Sequence, residues 1–436
     1  MERSFISELT EKDNNKKVLV KGWVSEIRSL GKVQFIVLRD KTDSIQCVAH
    51  KDEIKEDIFN KISKIPIESV IEIEGKIKTS KQAKKGFEIS IHDLNVLSES
   101  LTPLPIDTSE KSKTMIDKRL DYRFLDLRRP HISAIFKVRS KVFNFISNYF
   151  ESKNFVSINT PKITAGGVES GAEQFAIDYF GKEAFLAQSP QVYKQMFVLS
   201  GLERVYEIGE VFRAEKSHTT RHLTEFTGID FEMGFIKDEN DVMDIIDELM
   251  KYVLKEVKEK CRPELELLNV KIDVPKKIPR ITLDEARKLL EKKGKKIPEK
   301  EDPDPEAEKL LGEIVKEKYD SDFVFVTLYP VEKRPFYHMK PKNNPKVTQS
   351  FDLLYKGVEI STGAQREHRY EVLKQQAKEK GIDLDKMGFY ADIFKYGSCP
   401  HGGAGLGFDR IIQRMLNLEN VREAILLPRD PERLTP

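Results

Sequence analysis

The first hundred residues alternate between apolar and polar side chains with the period of β-strands. Five such stretches, at 17–27, 33–40, 44–50, 70–78 and 87–97, are separated by turn-forming sequences. A helix-like insert, "KDEIKEDIFNKISKI", lies between the third and fourth stretches. Five strands with a helix at that position predict a small Greek-key barrel of the OB type. A generic β-module is the alternative.

A long amphipathic helix is predicted from about Ile132 onward. Apolar residues recur there at alternating spacings of three and four, at Ile135, Val138, Val142, Phe145 and Tyr149. A second apolar stripe comprises Phe136, Phe143 and Phe150. A helix with so much apolar surface either lies in the centre of a core or packs against another subunit. It leads into a short strand, "NFVSINTP", which must end before Pro161.

Beyond this helix, β-rich stretches alternate with helices in no βαβ rhythm. Residues from about 240 to 320 have a lysine-rich helical pattern, which predicts an insertion on the main body. Residues 104–130 are rich in proline and charge and predict a linker. We therefore predict an α+β chain, with a barrel domain over 1–103 and a catalytic domain over 131–436.

Composition restricts the classes of partner and site. The 436 residues are 39% hydrophobic and 33% charged, which is typical of globular proteins. The net charge is only +2, so a polyanionic partner must be held by local patches. Cys47, Cys261 and Cys399 are too scattered for a disulfide framework or a zinc cluster. The charged N-terminal segment predicts no signal peptide and no window predicts a membrane span, so a cytoplasmic location is expected.

A glycine-rich strand is predicted near the C-terminus. In "HGGAGLGFDR", Gly403, Gly405 and Gly407 recur with a period of two. On a strand, this spacing leaves one face without side chains, so a flat ligand can lie against the backbone. A helix is expected to begin at Phe408, with Arg410 in its first turn. Arginine is unfavourable there, which indicates another role such as phosphate binding; a surface arginine is the alternative.

A pair of carboxylates is predicted on the hairpin "QSFDLLYKGVEISTGAQREHR". If Lys356 and Gly357 form a two-residue turn, Asp352 pairs with Ser361. Asp352 and Glu359 then lie diagonally on one face. Two close carboxylates repel each other unless a cation lies between them, and Mg²⁺ prefers such oxygens. Solvated carboxylates are the alternative, although the apolar neighbours favour burial.

The stretch "VFRAEKSHTTRHLTEFTGIDFEMGF", residues 211–235, mixes opposite charges with apolar residues. Arg213 and Arg221 are the kind of cation that a triphosphate requires. Together with the glycine strand and the carboxylate pair, they predict an ATP site. This site has neither the P-loop sequence nor the dinucleotide-binding fingerprint.

Several of these motifs resemble those of the class II aminoacyl-tRNA synthetases. "RVYEIGEVFRAE" resembles motif 2, "GAGLGFDR" resembles motif 3, and the long helix with the strand ending at Pro161 resembles motif 1. More narrowly, "QSPQVYKQ", "TRHLTEFTGIDFEM", "GVEISTGAQREHR" and "LLPRDPERLTP" are similar to aspartyl-tRNA synthetases of the archaeal and eukaryotic type. The resemblance covers essentially the whole chain.

The resemblance implies an antiparallel sheet flanked by helices, an OB domain that reads the anticodon, and a homodimer. Its substrates would be ATP, L-aspartate and tRNA(Asp), with tRNA(Asn) left open, and Mg²⁺ would be the metal. It implies catalytic roles for Arg213, Glu359 and Arg410. The implied metal ligands are Asp352, Glu359 and Thr362. The implied ATP-binding residues are Arg213, Ala214, Glu215, Arg221, His222, Leu223, Glu359, Gly407, Phe408, Asp409 and Arg410.

Aspartate and asparagine have the same shape, so only charge and hydrogen-bond pattern can separate them. The two cations that select a carboxylate in this family correspond to Lys194 and Arg366, and an asparaginyl enzyme is expected to lack the lysine. A surface residue on a helix beginning at Pro190 is the alternative for Lys194. The implied aspartate-binding residues are Glu169, in a lid loop, and Gln191, Lys194, Arg213, Thr362 and Arg366.

On the barrel, the resemblance implies that Phe35 stacks on an anticodon base, with a core side chain as the alternative. Gln46 would read a base edge, and Arg28 would contact phosphate or base. Lys84 matches a position linked to whether the enzyme accepts only tRNA(Asp) or also tRNA(Asn). Ser25 stands where some strict relatives carry tryptophan, so this choice stays open.

Three other functions remain as alternatives. An asparaginyl-tRNA synthetase is disfavoured by Lys194. A paralogue that makes free asparagine is expected to lack the OB domain. An RNA-binding protein built on an inactive synthetase is disfavoured by Arg213, Glu359 and Arg410.

Overall fold

The computed structural model describes residues 1–109, 111–165, 173–216 and 220–436. It divides into two compact units, Met1–Asp107 and Thr108–Pro436, each with its own hydrophobic core. No helix within the described residues has the length and apolar content needed to cross a bilayer.

The first unit is the predicted closed five-stranded barrel. Its elements are β1 (Lys17–Leu30), β2 (Val33–Arg39), β3 (Ser44–His50), α1 (Glu56–Ile62), β4 (Val70–Thr79) and β5 (Phe87–Ser98). The strands close in the order β1-β2-β3-β5-β4. Because successive side chains of a strand alternate between faces, Ile36 and Leu38 are buried in the barrel core while Phe35 and Val37 point outward.

The second unit is built on an eight-stranded sheet. The strands of the whole unit are β6 (Val156–Ser157), β7 (Ile163–Thr164), β8 (Ala176–Tyr179), β9 (Lys182–Leu186), β10 (Arg204–Phe212), β11 (Glu225–Gly234), β12 (Arg280–Thr282), β13 (Phe323–Thr327), β14 (Ser350–Tyr355), β15 (Val358–Gln365) and β16 (His401–Gly407). The main sheet has the order β12-β13-β14-β15-β16-β11-β10-β6. The strands from β13 to β10 are antiparallel, but both edge pairs are parallel, so the sheet is mixed rather than wholly antiparallel. Strands β7, β9 and β8 form a small separate sheet.

Helices cover this sheet. They are α2 (Ile116–Asp121), α3 (Arg123–Asp126), α4 (Pro130–Ser152), α5 (Gln191–Phe197), α6 (Glu239–Lys260), α7 (Arg262–Leu268), α8 (Leu283–Lys292), α9 (Pro305–Tyr319), α10 (Tyr370–Glu379), α11 (Phe389–Lys395) and α12 (Phe408–Met415). Helix α4 begins two residues before the predicted start because proline is favoured in the first turn. Val138 and Val142 of α4 are buried in the main core, whereas Phe143 of the second stripe is 40% exposed.

The segment from about 240 to 320 is integrated into the second unit rather than appended to it. Val242, Leu249 and Leu254 of α6 belong to the main hydrophobic core, and β12 forms an edge of the main sheet. The chain before α9 ends at Asp304, which caps the first turn of this helix. The side chain of Asp304 accepts a hydrogen bond from the Ala307 N–H at 2.8 Å.

Candidate active site

Strands β10, β11, β15 and β16 border an open cavity of about 250 Å³. Twelve of the predicted residues line it, although they come from distant parts of the chain. These are Gln191, Arg213, Glu215, Arg221, His222, Leu223, Glu359, Thr362, Arg366, Gly407, Asp409 and Arg410.

Some predicted residues lie elsewhere. Four that do not line the cavity are Lys194, Ala214, Asp352 and Phe408. The Phe408 side chain is 1% exposed and belongs to the main hydrophobic core, so only its backbone could contact a nucleotide. Glu169, the predicted lid acid, lies outside the described residues.

The glycines of β16 allow close approach to β11. A Cβ at Gly403 would lie 2.1 Å from the Phe231 carbonyl oxygen, and one at Gly405 would lie 3.2 Å from Asp230 Oδ1. Gly405 and Gly407 line the cavity, so the strand presents backbone there instead of side chains.

Arg410 connects three parts of the cavity wall. Its Nη1 donates to the Glu359 carbonyl oxygen at 3.0 Å, and its Nε donates to the Arg221 carbonyl oxygen at 3.2 Å. These bonds explain how an arginine is accommodated in the first turn of α12. Burial and the charge of Arg410 lower the pKa of His222, so this imidazole is neutral beside the arginines at physiological pH.

Asp409 links the main sheet to α4 through buried contacts of its carboxylate. Its carboxylate pairs with Arg139 and accepts a hydrogen bond from the Thr227 N–H at 2.9 Å. Burial raises the pKa of Asp409, and the charge of Arg139 acts in the opposite direction. Asp409 borders the cavity, but the acceptors of its carboxylate are used by protein donors.

The hairpin of β14 and β15 has the predicted turn but a different register. Lys356 and Gly357 have φ angles of 47° and 70°, as a two-residue hairpin turn requires. The predicted pairing of Asp352 with Ser361 is wrong, because Asp352 lies opposite Thr362. An irregularity between the turn and this pair adds one residue to β15, and no periodic pattern reveals such a bulge.

The two carboxylates of this hairpin have different surroundings. Arg334 donates to both oxygens of Asp352, at 3.1 and 2.6 Å. Glu359 lines the cavity and accepts a hydrogen bond from Thr362 Oγ1 at 3.2 Å. Burial and the nearby charge of Asp352 raise the pKa of Glu359. Glu359 is therefore the carboxylate presented to a ligand, and Asp352 is already neutralised by an arginine.

Lys194 is buried, so its interpretation as a surface residue is wrong. Only 2% of Lys194 is exposed. Its Nζ lies 2.8 Å from Asp230 Oδ1 and 3.6 Å from Glu232 Oε2, and it donates to the Ala404 carbonyl oxygen at 3.2 Å. Two acids of β11 thus hold the ammonium group beneath the cavity.

Arg366 shares one of these acids. Its Nε and Nη2 donate to the two oxygens of Glu232 at 2.9 and 3.2 Å, and Nη2 also donates to the Gly403 carbonyl oxygen at 2.9 Å. Burial alone would raise the pKa of Glu232, but Arg366 and Lys194 outweigh burial and keep this pKa below its usual value. The two predicted cations therefore converge on one acid.

The two predicted cations have acidic partners that the sequence did not indicate. Lys194 and Arg366 are matched by Asp230 and Glu232, which gives these four residues a formal charge of zero. Arg366 lines the cavity, whereas Lys194 lies behind it. A ligand at this position meets fixed donors rather than a net positive charge.

His338 completes the surroundings of Arg366. Its Nε2 lies 3.1 Å from Arg366 Nη1, and a guanidinium can only donate, so Nε2 accepts this hydrogen bond. Burial and the positive charge of Arg366 hold the pKa of His338 well below 6.5. His338 is therefore neutral in the folded protein.

The neutral state of His338 predicts a pH dependence of stability. Because its pKa is lower in the folded state, the contribution is complete above pH 6.5 and is lost as the pH falls. Between about pH 7.5 and 5.5, we expect wild type to lose up to about 1.4 kcal/mol more unfolding free energy than His338→Gln. Denaturant titration at the two pH values measures this difference. Equal losses in both proteins would contradict the assignment, and His92→Gln, at an exposed position of the barrel, is the control.

Several residues of the site were not predicted from the sequence. Asp230 and Glu232 alternate on one face of an otherwise apolar strand, and this pattern could have indicated them. Arg334 and His338 lie between β13 and β14, where no periodic pattern marks them. Their roles depend on which strands the segment between β13 and β14 packs against in the folded protein.

The barrel brings three predicted residues to one outer face. Phe35 lies opposite Arg28, and Gln46 lies on the neighbouring strand β3. Phe35 is half-buried and lies outside the barrel core, so it is not a core side chain. Lys84 is exposed in the connection between β4 and β5.

Two of these side chains have acidic partners in the barrel. Arg28 donates to both carboxylate oxygens of Glu26, at 2.6 and 2.9 Å. Gln46 Nε2 donates to Glu88 at 2.7 Å. An RNA that contacts Arg28 or Gln46 has to share these hydrogen-bond donors with Glu26 or Glu88, or displace the acids from them.

An arginine-bordered cavity on this sheet, together with the barrel, defines a class II aminoacyl-tRNA synthetase. The chain belongs to the family of class II tRNA synthetases for D, K and N, whose model matches residues 115–431. The model of the OB-fold nucleic acid binding domain matches residues 18–97. The resemblance found in the motifs is thus confirmed.

Relatives narrow the family further. The aspartate–tRNA(Asp) ligase of Pyrococcus abyssi is 48% identical over 99% of both chains. The aspartate–tRNA(Asp/Asn) ligase of Aeropyrum pernix is 47% identical over 96% of both chains. Among solved structures, asparaginyl-tRNA synthetase of Pyrococcus horikoshii with asparaginyl-adenylate is 33% identical, with a TM-score of 0.94 and full coverage of both chains. The fold is therefore common to enzymes with different amino-acid substrates.

Proposed function

We propose that this chain is an aspartate–tRNA ligase, which activates L-aspartate with ATP and transfers it to tRNA(Asp). The observation that carries the choice of amino acid is the buried Lys194 near Arg366 of the cavity wall, with Glu232 bound to both cations. The names of the relatives support the same choice.

Selection between aspartate and asparagine follows from the donors at this wall. Ammonium and guanidinium groups only donate hydrogen bonds, so they match the oxygens of a carboxylate. The amide nitrogen of asparagine would place a donor against a donor. A mismatch of this kind rejects the analogue by roughly 10⁴-fold in favourable cases.

The proposed reaction has two steps. The α-carboxylate of aspartate attacks the α-phosphorus of ATP, and pyrophosphate leaves. The 3′-terminal ribose hydroxyl of the tRNA then attacks the aspartyl-adenylate, and AMP leaves. Neither step uses a side-chain nucleophile, so Arg213 and Arg410 act by orienting the phosphates and stabilising their negative charge.

Mg²⁺ fits the donors at one part of the cavity. Glu359 and Thr362 supply oxygens there, and burial together with the charge of Asp352 raises the pKa of Glu359. Asp352 contributes directly only if it leaves Arg334. No group of three or more acidic, histidine or cysteine ligands occurs within the described residues, and Mg²⁺ sites with one or two carboxylates plus substrate phosphates need none. When bound, Mg²⁺ would offset charge on the phosphates of ATP.

Aspartate-dependent ATP–pyrophosphate exchange tests the first step. Exchange with aspartate and not with asparagine supports the proposal, and the reverse preference would identify an asparaginyl enzyme instead. Charging of separate tRNA(Asp) and tRNA(Asn) transcripts tests the second step. Charging of both would place the chain with the relatives named for Asp/Asn.

Phe35 is proposed to stack on a base of the anticodon. Because stacking of an aromatic side chain on a base contributes about 1–3 kcal/mol, Phe35→Ala should lower kcat/KM for tRNA charging roughly 5- to 150-fold. ATP–pyrophosphate exchange without tRNA should not change. The matched control is Phe5→Ala, another aromatic residue of the barrel unit. Equal charging by Phe35→Ala and wild type would refute the contact.

A homodimer and a cytoplasmic location complete the proposal. Phe143 lies on α4, the helix that corresponds to motif 1, and is 40% exposed, so its side chain is accessible to a second subunit. Light scattering should report twice the chain mass of 50.4 kDa. The cytoplasm supplies the tRNA and ATP that the proposed reaction consumes.

A further inference from the structure

Glu308 binds an arginine of the nucleotide site from outside the motifs of the family. It lies in the first turn of α9, and its Oε2 accepts a hydrogen bond from Arg221 Nη1 at 2.8 Å. The two side chains are 15% and 18% exposed, so the ion pair is largely shielded from water. Arg221 lines the cavity and Glu308 does not, which places the acid behind the arginine.

The backbone of α9 is fixed against the hairpin that carries Glu359. A Cβ at Gly312 would lie 2.6 Å from the backbone of Gly357, and one at Gly357 would lie 3.1 Å from the Glu308 carbonyl oxygen. The helix and the hairpin turn are thus in backbone contact. This contact ties the position of Glu308 to that of Glu359.

Arg221 is held at both ends. Its carbonyl oxygen accepts a hydrogen bond from Arg410 Nε at 3.2 Å, and its guanidinium is bound by Glu308. Burial and the charge of Glu359 raise the pKa of Glu308 to about 7, while Arg221 acts in the opposite direction. The ionised form of Glu308 therefore depends on its contact with Arg221, and the same contact restricts the position of the Arg221 guanidinium.

We propose that Glu308 is a positioning residue for ATP, because it holds the Arg221 guanidinium at the cavity wall before the phosphates arrive. This inference rests on the proposed function, since it takes ATP to be the ligand. A flexible arginine loses side-chain entropy when it binds a phosphate. The buried carboxylate removes part of that loss by ordering the planar guanidinium in advance.

Equilibrium binding of ATP in the presence of Mg²⁺ tests this role without aspartate or tRNA. We expect Glu308→Ala to raise the Kd for ATP about tenfold, as for loss of a hydrogen bond to a charged group. Glu308→Gln keeps an acceptor oxygen and should recover part of the affinity. Glu306→Ala removes an acid from the same turn of α9, where the side chain is 81% exposed, and should bind ATP as wild type does.

A double-mutant cycle separates positioning from a general structural role. If Glu308 acts through Arg221, then adding Glu308→Ala to Arg221→Ala should cause no further loss of ATP affinity. In exchange assays, the KM for ATP should rise in Glu308→Ala while the KM for aspartate stays within about twofold.

Several results would overturn the inference. These are an unchanged Kd in Glu308→Ala, an equal loss in Glu306→Ala, and a loss that persists in the Arg221→Ala background. A wild-type protein that binds ATP but fails to activate aspartate would instead refute the proposed function and leave the role of Glu308 intact.

Discussion

Lys194→Met and Arg366→Leu are each expected to reduce aspartate-dependent ATP–pyrophosphate exchange by roughly 10³-fold or more. If these residues bind aspartate as proposed, each substitution removes one donor for the substrate carboxylate, either Arg366 at the cavity wall or Lys194 behind it. It also leaves Glu232, which is fully buried, with one cation instead of two. We expect the remaining cation to reorient toward Glu232, so that its donors are no longer available to the substrate.

Stability measurements must accompany this experiment. Breaking a buried ion pair by removing one partner typically costs 3–5 kcal/mol, so both variants should unfold at lower temperature. ATP binding shows whether the cavity survives. Lys251→Met is the matched control, because it removes a lysine from a partly buried ion pair with Asp247 on α6, away from the cavity. Near-normal exchange in either site variant would refute the assignment of the aspartate pocket.

Arg213→Ala is expected to lower the rate of adenylate formation by roughly 10²- to 10³-fold, by analogy with loss of a donor that stabilises developing negative charge. The Arg213 guanidinium lies 5.4 Å from the ring of Phe226 and 3.8 Å from Glu215. Its side chain is 43% exposed at the cavity, so it is available to a phosphate. Because the cation–π contact is partly exposed, stability should fall by no more than about 1 kcal/mol.

Two further variants sharpen the test of Arg213. Arg213→Lys keeps the charge but lacks the planar fork that binds two oxygens at once, so it should recover only part of the rate. Lys216→Ala removes a nearby cation that is 86% exposed, and it should behave as wild type. Single-turnover formation of aspartyl-adenylate measures all three. A loss below about threefold in Arg213→Ala would contradict a role in the chemical step.

Local patterns of the sequence determined much of this protein. Alternation of apolar residues placed the five barrel strands, since a side chain on a strand can face only the core or the solvent. The glycine strand before Arg410 was readable from its period of two, because a side chain at Gly403 would collide with the backbone of β11. The turn at Lys356 and Gly357 was readable because Gly357 has a positive φ, which favours glycine. The family motifs then indicated twelve residues of the cavity wall.

Only the tertiary structure decided how the charges are matched. Arg334 neutralises Asp352, Glu308 holds Arg221, and the acids of β11 balance the two cations of the proposed aspartate pocket. A pairing of this kind depends on distances between segments that are far apart in the chain, and neither periodicity nor spacing contains those distances. The sequence motifs thus indicated the cations and carboxylates that border the cavity, and packing of the sheet and its helices determined which acids and arginines neutralise one another and which are presented to a ligand.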